Sequence, residues 1–197
     1  MLKTLIALSS VAAVFAVAPA AHAANDYYLK LDGIAGETVV GKTTDAIAIH
    51  SFAWEIENKT SIGSASGGAG AGKAQFNELT VTKNVDSTSP ALLTRVGTGQ
   101  HLAAMELVAR KAGQPAQISM RYCFQPVFVT SVKHTGAQGD EGTTEEVTFT
   151  YGAMSETYAK QNPNGSTSNV ASAWNQMTNA STMLMPDGDN ACGSSRF

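Results

Sequence analysis

One stretch of the sequence has residue types that suggest phosphate chemistry. Gly67 to Lys73 reads G-x-x-x-x-G-K, the beginning of a P-loop that cradles nucleotide phosphates. A P-loop continues with a Ser or Thr that binds Mg²⁺, but Ala74 follows here. The residues after it alternate between apolar and polar types as a strand does, so no helix N-terminus is available to the phosphate. The stretch therefore predicts a Gly-rich loop and no nucleotide site.

Metal chemistry finds no support in the spacing of the ligand types. His50, His101 and His134 have no second His, Cys or carboxylate at metal-ligand spacing. His50 lies beside apolar residues of a predicted strand, which predicts a core or interface residue. Asp187 to Asn190 resembles half of a calcium loop but lacks the later bidentate Glu, so it predicts a solvated turn.

Acid–base and nucleophilic chemistry are also poorly supported. The paired carboxylates Asp140-Glu141 and Glu145-Glu146 lie on a predicted Gly-flanked hairpin, where such charges shield a turn or an edge. No G-x-S-x-G motif surrounds a serine. We therefore predict a non-enzymatic protein without catalytic residues, cofactor or metal.

The N-terminus is typical of an export signal. Lys3 precedes an apolar stretch at 5–17, and Ala21-His22-Ala23 forms an A-x-A cleavage site. The sequence predicts a signal peptide at 1–23, cleaved between Ala23 and Ala24, with an uncleaved membrane anchor as the alternative. The processed chain is expected in the periplasm or outside the cell. No later apolar run is long enough to insert into a membrane.

Charge and cysteine content fit an exported chain. The formal net charge is -3, and such mild acidity gives no reason to expect a nucleic-acid partner. Strand alternation places Cys123 on the face opposite Tyr122 and Phe124, and Cys192 lies in a polar tail. An oxidising compartment permits a disulfide between them, which would close a loop of about 70 residues. Two unrelated thiols are the alternative.

The periodicity predicts an all-β domain with one short helix. Alternating segments bounded by turn residues indicate strands at 26–31, 44–57, 75–83, 104–110, 116–124, 127–134 and 144–158. Ser89-Pro90 predicts a helix start, with the helix at 90–96 and Gly97 as its stop. Such a series indicates a closed or sandwich-like antiparallel β-barrel. The 174 residues that remain after cleavage suffice for one domain with a core.

The segment at 72–92 carries a family resemblance. Its pattern G-K-x-x-F-x-x-L-x-V-T-K-x-V-D-x-x-S-P-x-L resembles the Hcp family, the tube protein of bacterial type VI secretion systems. The segments 28–34, 47–54 and 107–113 are similar to other strands of that family, and Trp174-Asn175 to its closing segment. The resemblance extends from Tyr27 to Asn179.

This resemblance implies an architecture and an assembly. Two antiparallel sheets would close into a barrel at 24–180, with a helix at the side and a polar tail at 181–197. Hcp-like chains form homohexameric rings that stack into a tube and carry secreted effector or tip proteins. A loop containing Gly63, Gly67, Gly68, Gly70 and Gly72 would contact the next ring. The strands at 44–52 and 127–132 are the expected lateral contacts.

The second face of the barrel strands, meaning the side chains that alternate away from the core, is expected to be small and polar. It would line a ring lumen or contact a neighbour. Its members are Thr80, Thr82, Ser119, Arg121, Thr148 and Thr150.

The export signal departs from the family, whose members typically assemble in the cytoplasm. Three explanations stay open: a ring repurposed for the periplasm or exterior, an extracellular filament, or a misassigned start. The second function class is a monomeric exported β-barrel that binds a ligand or a surface partner. Ring formation distinguishes the two classes.

Overall fold

The computed structural model describes residues 25–59, 72–112, 117–183, 191–192 and 197. The predicted signal peptide, its cleavage pair Ala23 and Ala24, and the loop residues Gly63, Gly67, Gly68 and Gly70 lie outside these ranges, as does the turn at 187–190.

The described ranges form eleven strands and one helix. In chain order they are β1 Asn25–Leu31, β2 Thr38–Val40, β3 Thr43–Ile49, β4 Ser51–Ala53, β5 Ile56–Asn58, β6 Ala74–Phe76, β7 Leu79–Asn84, α1 Ser89–Thr98, β8 Met105–Lys111, β9 Gln117–Thr135, β10 Thr144–Gln161 and β11 Thr167–Asn175. No helix among these residues is long and apolar enough to cross a membrane.

The main sheet is antiparallel and closes on itself. Its strand order is β2-β3-β1-β8-β9-β10-β7-β4, and β11 pairs with the second half of β10. β3 and β4 are two halves of one segment that bends at His50, and they pair with β1 and β7 respectively. Because this segment connects the β1 side of the sheet to the β7 side, the sheet curls round and the predicted antiparallel barrel is confirmed. β5 and β6 form a separate two-stranded ribbon.

The barrel interior is filled by the inward side chains of these strands. Leu29, Leu107, Phe124 and Phe149 are all 1% exposed or less. The ring centroids of Phe124 and Tyr151 lie 4.7 Å apart in a T-shaped contact. Alternate burial along the strands shows why apolar residues at period two form this fold.

α1 packs beside the barrel through buried Leu92. Thr88 is its N-cap residue and Pro90 lies in the first turn, where a missing N–H costs nothing. The helix ends at Gly99, whose φ of 65° is left-handed and whose N–H donates to the carbonyl of Arg95. The predicted stop at Gly97 is therefore wrong by two residues, because Gly97 fits inside the helix.

β9 is one strand where the sequence predicted two. Gln125-Pro126 is a cis peptide in its middle, and β10 continues past it at Gly152. The inward positions switch from Phe124 to Val127 in β9, and from Tyr151 to Met154 in β10. A Cβ on Gly152 would lie 3.0 Å from the Pro126 ring, so glycine makes room for this irregularity. The change of alternation, and the proline, hid the continuity of the strand.

Other boundaries also differ from the prediction. The predicted strand at 44–57 divides into β3, β4 and β5, and β2 and β11 were not predicted. β11 is exposed at most positions, so its sequence lacks the apolar alternation that marks a half-buried strand. His50 is exposed at the bend and its Nε2 lies 3.0 Å from Asn84 Oδ1, so of the two predicted roles the core residue is wrong and the interface residue stays a prediction.

Candidate functional site

A buried ionic cluster joins the barrel to its helix. Lys83 of β7 and Glu145 of β10 are paired in register, and Lys83 Nζ lies 2.6 Å from Glu145 Oε2. Lys83 Nζ also donates to Asp86 Oδ1 at 2.8 Å. Ser89, the first residue of α1, donates its hydroxyl to Glu145 Oε2 at 2.9 Å. Lys83 is 1% exposed and Glu145 is fully buried.

Asp86 organises the loop before the helix. Its Oδ1 accepts from the backbone N–H of Thr88 at 2.9 Å and from the Thr88 hydroxyl at 2.5 Å, in addition to Lys83. An aspartate that bonds the backbone two residues ahead is a standard way to form a turn. On the other side of the cluster, His134 of β9 places Nε2 2.9 Å from Glu145 Oε1.

The cluster keeps its carboxylates ionised. Burial raises the pKa of Glu145, but hydrogen bonds from Lys83, His134 and Ser89 and the charge of Lys83 outweigh it, so the pKa lies below its usual value. The pKa of Asp86 is lowered in the same way: burial raises it, and the contacts with Lys83 and Thr88 prevail. A buried carboxylate held ionised against a buried lysine is suited to fixing register, and a general acid would need the opposite shift.

This cluster was not recognised from the sequence. Glu145 was predicted to shield a turn, and that interpretation is wrong, because Glu145 is buried. Asp140 does act within the turn, where its Oδ2 accepts from the N–H of Ala137 at 2.8 Å. The signal was present in the segment at 72–92, whose Lys, Asp and Ser lie in one short block. Within the described ranges, no three His, Cys, Asp or Glu side chains come together as candidate metal ligands.

Three strands of the main sheet, β2, β4 and β11, have a neighbour on one side only within the described residues, and β4 pairs with β7. β2 pairs with β3, and β11 pairs with β10. β11 is nine residues long, carries no charged residue, and exposes 61% of Val170. β2 exposes 65% of Val39. In the predicted lateral segment at 44–52, β3 has β2 on one side and β1 on the other, whereas β4 has only β7 as a neighbour in the described sheet.

The loop that was predicted to contact the next ring connects the two strands of the β5–β6 ribbon. Ile56 pairs with Phe76 and Asn58 with Ala74, so the loop begins at the end of this ribbon. Gly72 lies at its base, where a Cβ would come within 2.6 Å of the carbonyl oxygen of Lys59. Only glycine fits that approach without movement of the backbone.

The polar tail is attached to β9. Cys123 and Cys192 form a disulfide in the structure, with Cα atoms 6.0 Å apart and a sequence separation of 69. Next to it, the side-chain amide of Gln125 bonds the tail twice: Nε2 donates to the Met183 carbonyl, and Oε1 accepts from the Cys192 N–H at 2.8 Å.

A groove on the barrel has an aromatic floor. The rings of Tyr27 and Phe52 lie 5.2 Å apart, and those of Phe52 and Tyr122 lie 5.7 Å apart. Lys111 and Tyr158 are among the other residues that line it. The aromatic side chains of this groove offer an apolar surface to a ligand or side chain.

Comparison with known proteins shows a family that this sequence matches. A sequence profile described as "Type VI secretion system effector, Hcp" matches residues 28–158. The sequence is 30% identical over 94 residues to protein hcp1 of Pseudomonas aeruginosa, an alignment that covers 47% of this chain and 58% of that relative. The match to this curated relative therefore spans little more than half of its length.

Solved structures of other proteins share this fold. A structure described as a type six secretion system protein superposes with a TM-score of 0.75 and 30% identity, covering 81% of this chain and 100% of the other. Hcp1 from Salmonella typhimurium superposes with a TM-score of 0.68 and 24% identity, covering 81% and 99%. The second likeness concerns the fold alone.

Proposed function

The chain belongs to the Hcp family of type VI secretion proteins, and we propose that it is a non-enzymatic structural component that assembles into hexameric rings of identical copies. The observation that carries this proposal is the presence of one-sided strands at different places on the described sheet, of which β11 has nine residues and β2 and β4 have three each. An exposed edge is a template for pairing with another chain. Proteins that stay monomeric usually blunt such an edge with charge, proline or a bulge.

The edges of β11 and β2 support a contact between unlike surfaces. β11 has no charged residue and no proline, and its nine pairs with β10 run in unbroken register. β2 is uncharged as well, and both edges expose a valine. β2 is the more blunted of the two edges, because it has three residues and its pairing with β3 shifts register between Thr38 and Val40. If β11 of one copy pairs with β2 of the next, every copy uses a different edge on each side. Such a heterologous contact produces a ring when the rotation between copies closes.

Native mass tests the ring directly. We expect the processed protein to have six times the mass of the chain. Variants with one added cysteine test the edges. Val39→Cys and Val170→Cys chains are mixed and treated with a short bis-maleimide. Linked dimers should form only in the mixture. Leu93→Cys is the matched control, because Leu93 is also 64% exposed but lies on α1. Linking of Val170→Cys to itself would contradict the unlike pairing, and a monomeric mass would contradict the ring.

Stacking of rings is assigned to the loop carried by the β5–β6 ribbon. The ribbon gives the loop a fixed base, and Gly72 closes that base against Lys59. Removing residues 64–70 should leave hexamers intact and abolish longer tubes, measured by electron microscopy and native mass on the same samples. Tubes of unchanged length would refute this assignment.

Export and cargo complete the proposal. The A-x-A site predicts a processed N-terminus at Ala24, and a chain delivered by that route works in the periplasm or outside the cell. Secreted effector or tip proteins are the expected partners of the assembled ring. N-terminal sequencing of protein recovered from an exporting host tests processing. A mature chain that still begins at Met1 would contradict the export assignment.

A second function is favoured by the aromatic groove. Its floor of Tyr27, Phe52 and Tyr122 would suit a monomeric exported β-barrel that binds an apolar ligand or a surface partner. Native mass separates the two functions. A monomer whose Tyr122→Ala variant loses binding to an apolar fluorescent probe would support the groove, whereas a hexamer supports the ring.

A further inference from the structure

A small pocket lies between β5 and the end of β11, and both tryptophans of the chain line it. Trp54 comes just before β5, and Trp174 is the next-to-last residue of β11. Met154 and Glu156 contribute from β10, which pairs with β11. The other lining residues are Ile56, Ser172 and Ala173. The pocket shares no lining residue with the aromatic groove.

Strand register places Glu156 beside Trp174. Met154 pairs with Trp174 on β11 and with the core residue Phe124 on β9. Side chains alternate along a strand, so Glu156, two residues after Met154, points to the same side of the sheet. Glu156 is half-buried there, between water and the apolar side chains of the pocket.

Trp54 closes the other side of the pocket. Its ring centroid lies 5.7 Å from that of Tyr122 in a T-shaped contact, and Tyr122 pairs in register with Glu156. Burial raises the pKa of Tyr122, and the negative charge of Glu156 raises it further. The charge of the carboxylate therefore acts on the aromatic side chains around it.

That charge is not balanced by the residues that the structure describes. Among them, no lysine, arginine or histidine forms an ion pair with Glu156. None of the lining residues is cationic. A carboxylate that is partly out of water is stabilised when an opposite charge joins it. Aromatic rings attract cations as well, and tryptophan attracts them most strongly.

The size of the pocket limits its occupant. Its volume is about 100 Å³, whereas sites for drug-sized ligands measure about 300–1,000 Å³. We propose that Glu156, Trp54 and Trp174 form a site for a single organic cation of the alkylammonium or guanidinium class. Two sources carry this chemistry: a free small amine, and a lysine or arginine side chain of another copy that approaches the β11 edge. The proposal goes beyond the assembly of rings and does not require it.

Tryptophan fluorescence tests the site, because Trp54 and Trp174 are the only tryptophans of the chain. Titration with butylammonium should change the emission saturably, whereas butanol and potassium chloride at the same concentrations should not. Glu156→Gln should weaken binding of butylammonium by about tenfold, because the cation loses a charged hydrogen-bond partner. Glu146→Gln is the matched control, since Glu146 lies on the same strand and does not line the pocket. Equal affinities for butanol and butylammonium would overturn the proposal.

A second variant separates the attraction of the ring from simple burial. Trp54→Leu keeps an apolar wall and leaves Trp174 as the reporter, so binding of butylammonium should weaken by about two- to fivefold. The emission before titration, compared with that of the same variant in urea, shows that the variant is folded. Unchanged affinity in folded Trp54→Leu would count against a site built for a cation.

Native mass of the same samples distinguishes the two sources. If the cation is a free amine, the emission changes and the mass does not. If a side chain of another copy fills the pocket, butylammonium competes with it and lowers the mass, and Glu156→Gln lowers the mass without added cation. A chain that forms no ring still gives a titration, so failure of the ring and failure of the site produce different results. If Glu156→Gln alters neither the titration nor the mass, the pocket is not a cation site.

Discussion

Lys83 and Glu145 face each other across β7 and β10, and their charged atoms meet at 2.6 Å inside the barrel wall. The pair connects three parts of the fold, because Ser89 of α1 and His134 of β9 bond the same carboxylate. A charge pair taken out of water gains little net stability over a well-packed apolar pair. Its value is register: a slip of β7 by one residue would move Lys83 to the other face.

Replacing one partner should be costly. In Lys83→Met, Glu145 keeps its burial and loses its counter-charge, so the free energy of unfolding should fall by about 3–5 kcal/mol, measured by urea denaturation. Lys30→Met is the matched control, because its pair with Asp45 at 2.9 Å is partly exposed. Loss of an exposed pair costs about 0–1 kcal/mol. Equal losses in the two variants would contradict the structural role of the cluster.

The same cluster predicts a loss of stability in acid. The pKa values of Glu145 and Asp86 are lowered in the folded chain, so below their usual values of 4.5 and 3.8 the unfolded chain binds more protons. Their contribution is present at neutral pH and is lost as pH falls through the folded pKa values. Urea midpoints between pH 3 and 7 should therefore fall more steeply in the wild type than in Glu145→Gln. Parallel curves would contradict the assignment.

The strands with a clear alternation were predictable from sequence, and those without it were not. β1 shows apolar residues at period two because one side faces the core, and the predicted bounds of β1 and β8 lie within two residues of the structure. The strand predicted at 75–83 is wrong in its bounds, because it divides into β6 and β7. β11 gives no such signal, because it is held by its nine pairs with β10 and not by burial. The continuity of β9 through Pro126 was not predicted for another reason: the alternation of inward and outward positions changes there.

The candidate site was less predictable than the fold. The block of Lys83, Asp86 and Ser89 carried the family resemblance, but its partner Glu145 lies 56 residues after Ser89 and was interpreted from its local turn. Long-range pairing decides burial, and a charged residue in sequence gives no sign of it. The cysteine pair was easier to predict, because strand alternation and the polar tail limited where each cysteine could lie.

Gly36, which lies just before β2, should not tolerate replacement by a residue with a side chain. A Cβ on Gly36 would lie 2.1 Å from the backbone oxygen of Ala46, so Gly36→Ala must displace β2 from β3. We expect a loss of about 1–3 kcal/mol in thermal or urea unfolding. Gly97→Ala is the control, because nothing lies within 4 Å of that Cβ. In a helix interior it should stabilise by roughly 0.5–1 kcal/mol. A neutral Gly36→Ala would contradict the close approach.

Removal of the disulfide should lower stability through the unfolded chain. Cys123→Ser with Cys192→Ser releases a cross-link between residues 69 apart, and the free energy of unfolding should fall by about 2–4 kcal/mol. Non-reducing peptide mapping should first recover the linked peptides from exported protein. If both thiols are free there, or if the double variant is as stable as the oxidised wild type, the tail is not held by this bond.

A single charge on β11 should separate assembly from folding. Val170 is 61% exposed, so Val170→Lys should change the free energy of unfolding by no more than about 0.5 kcal/mol. A lysine on an open edge disfavours pairing with a second chain, so the hexamer mass should be lost. Leu93→Lys places the same charge on α1 at similar exposure and should leave the ring intact.

Val39→Glu combined with Val170→Lys in one chain places opposite charges at the contact and should recover part of the assembly, measured by native mass. Intact hexamers in Val170→Lys alone would move the lateral contact away from β11.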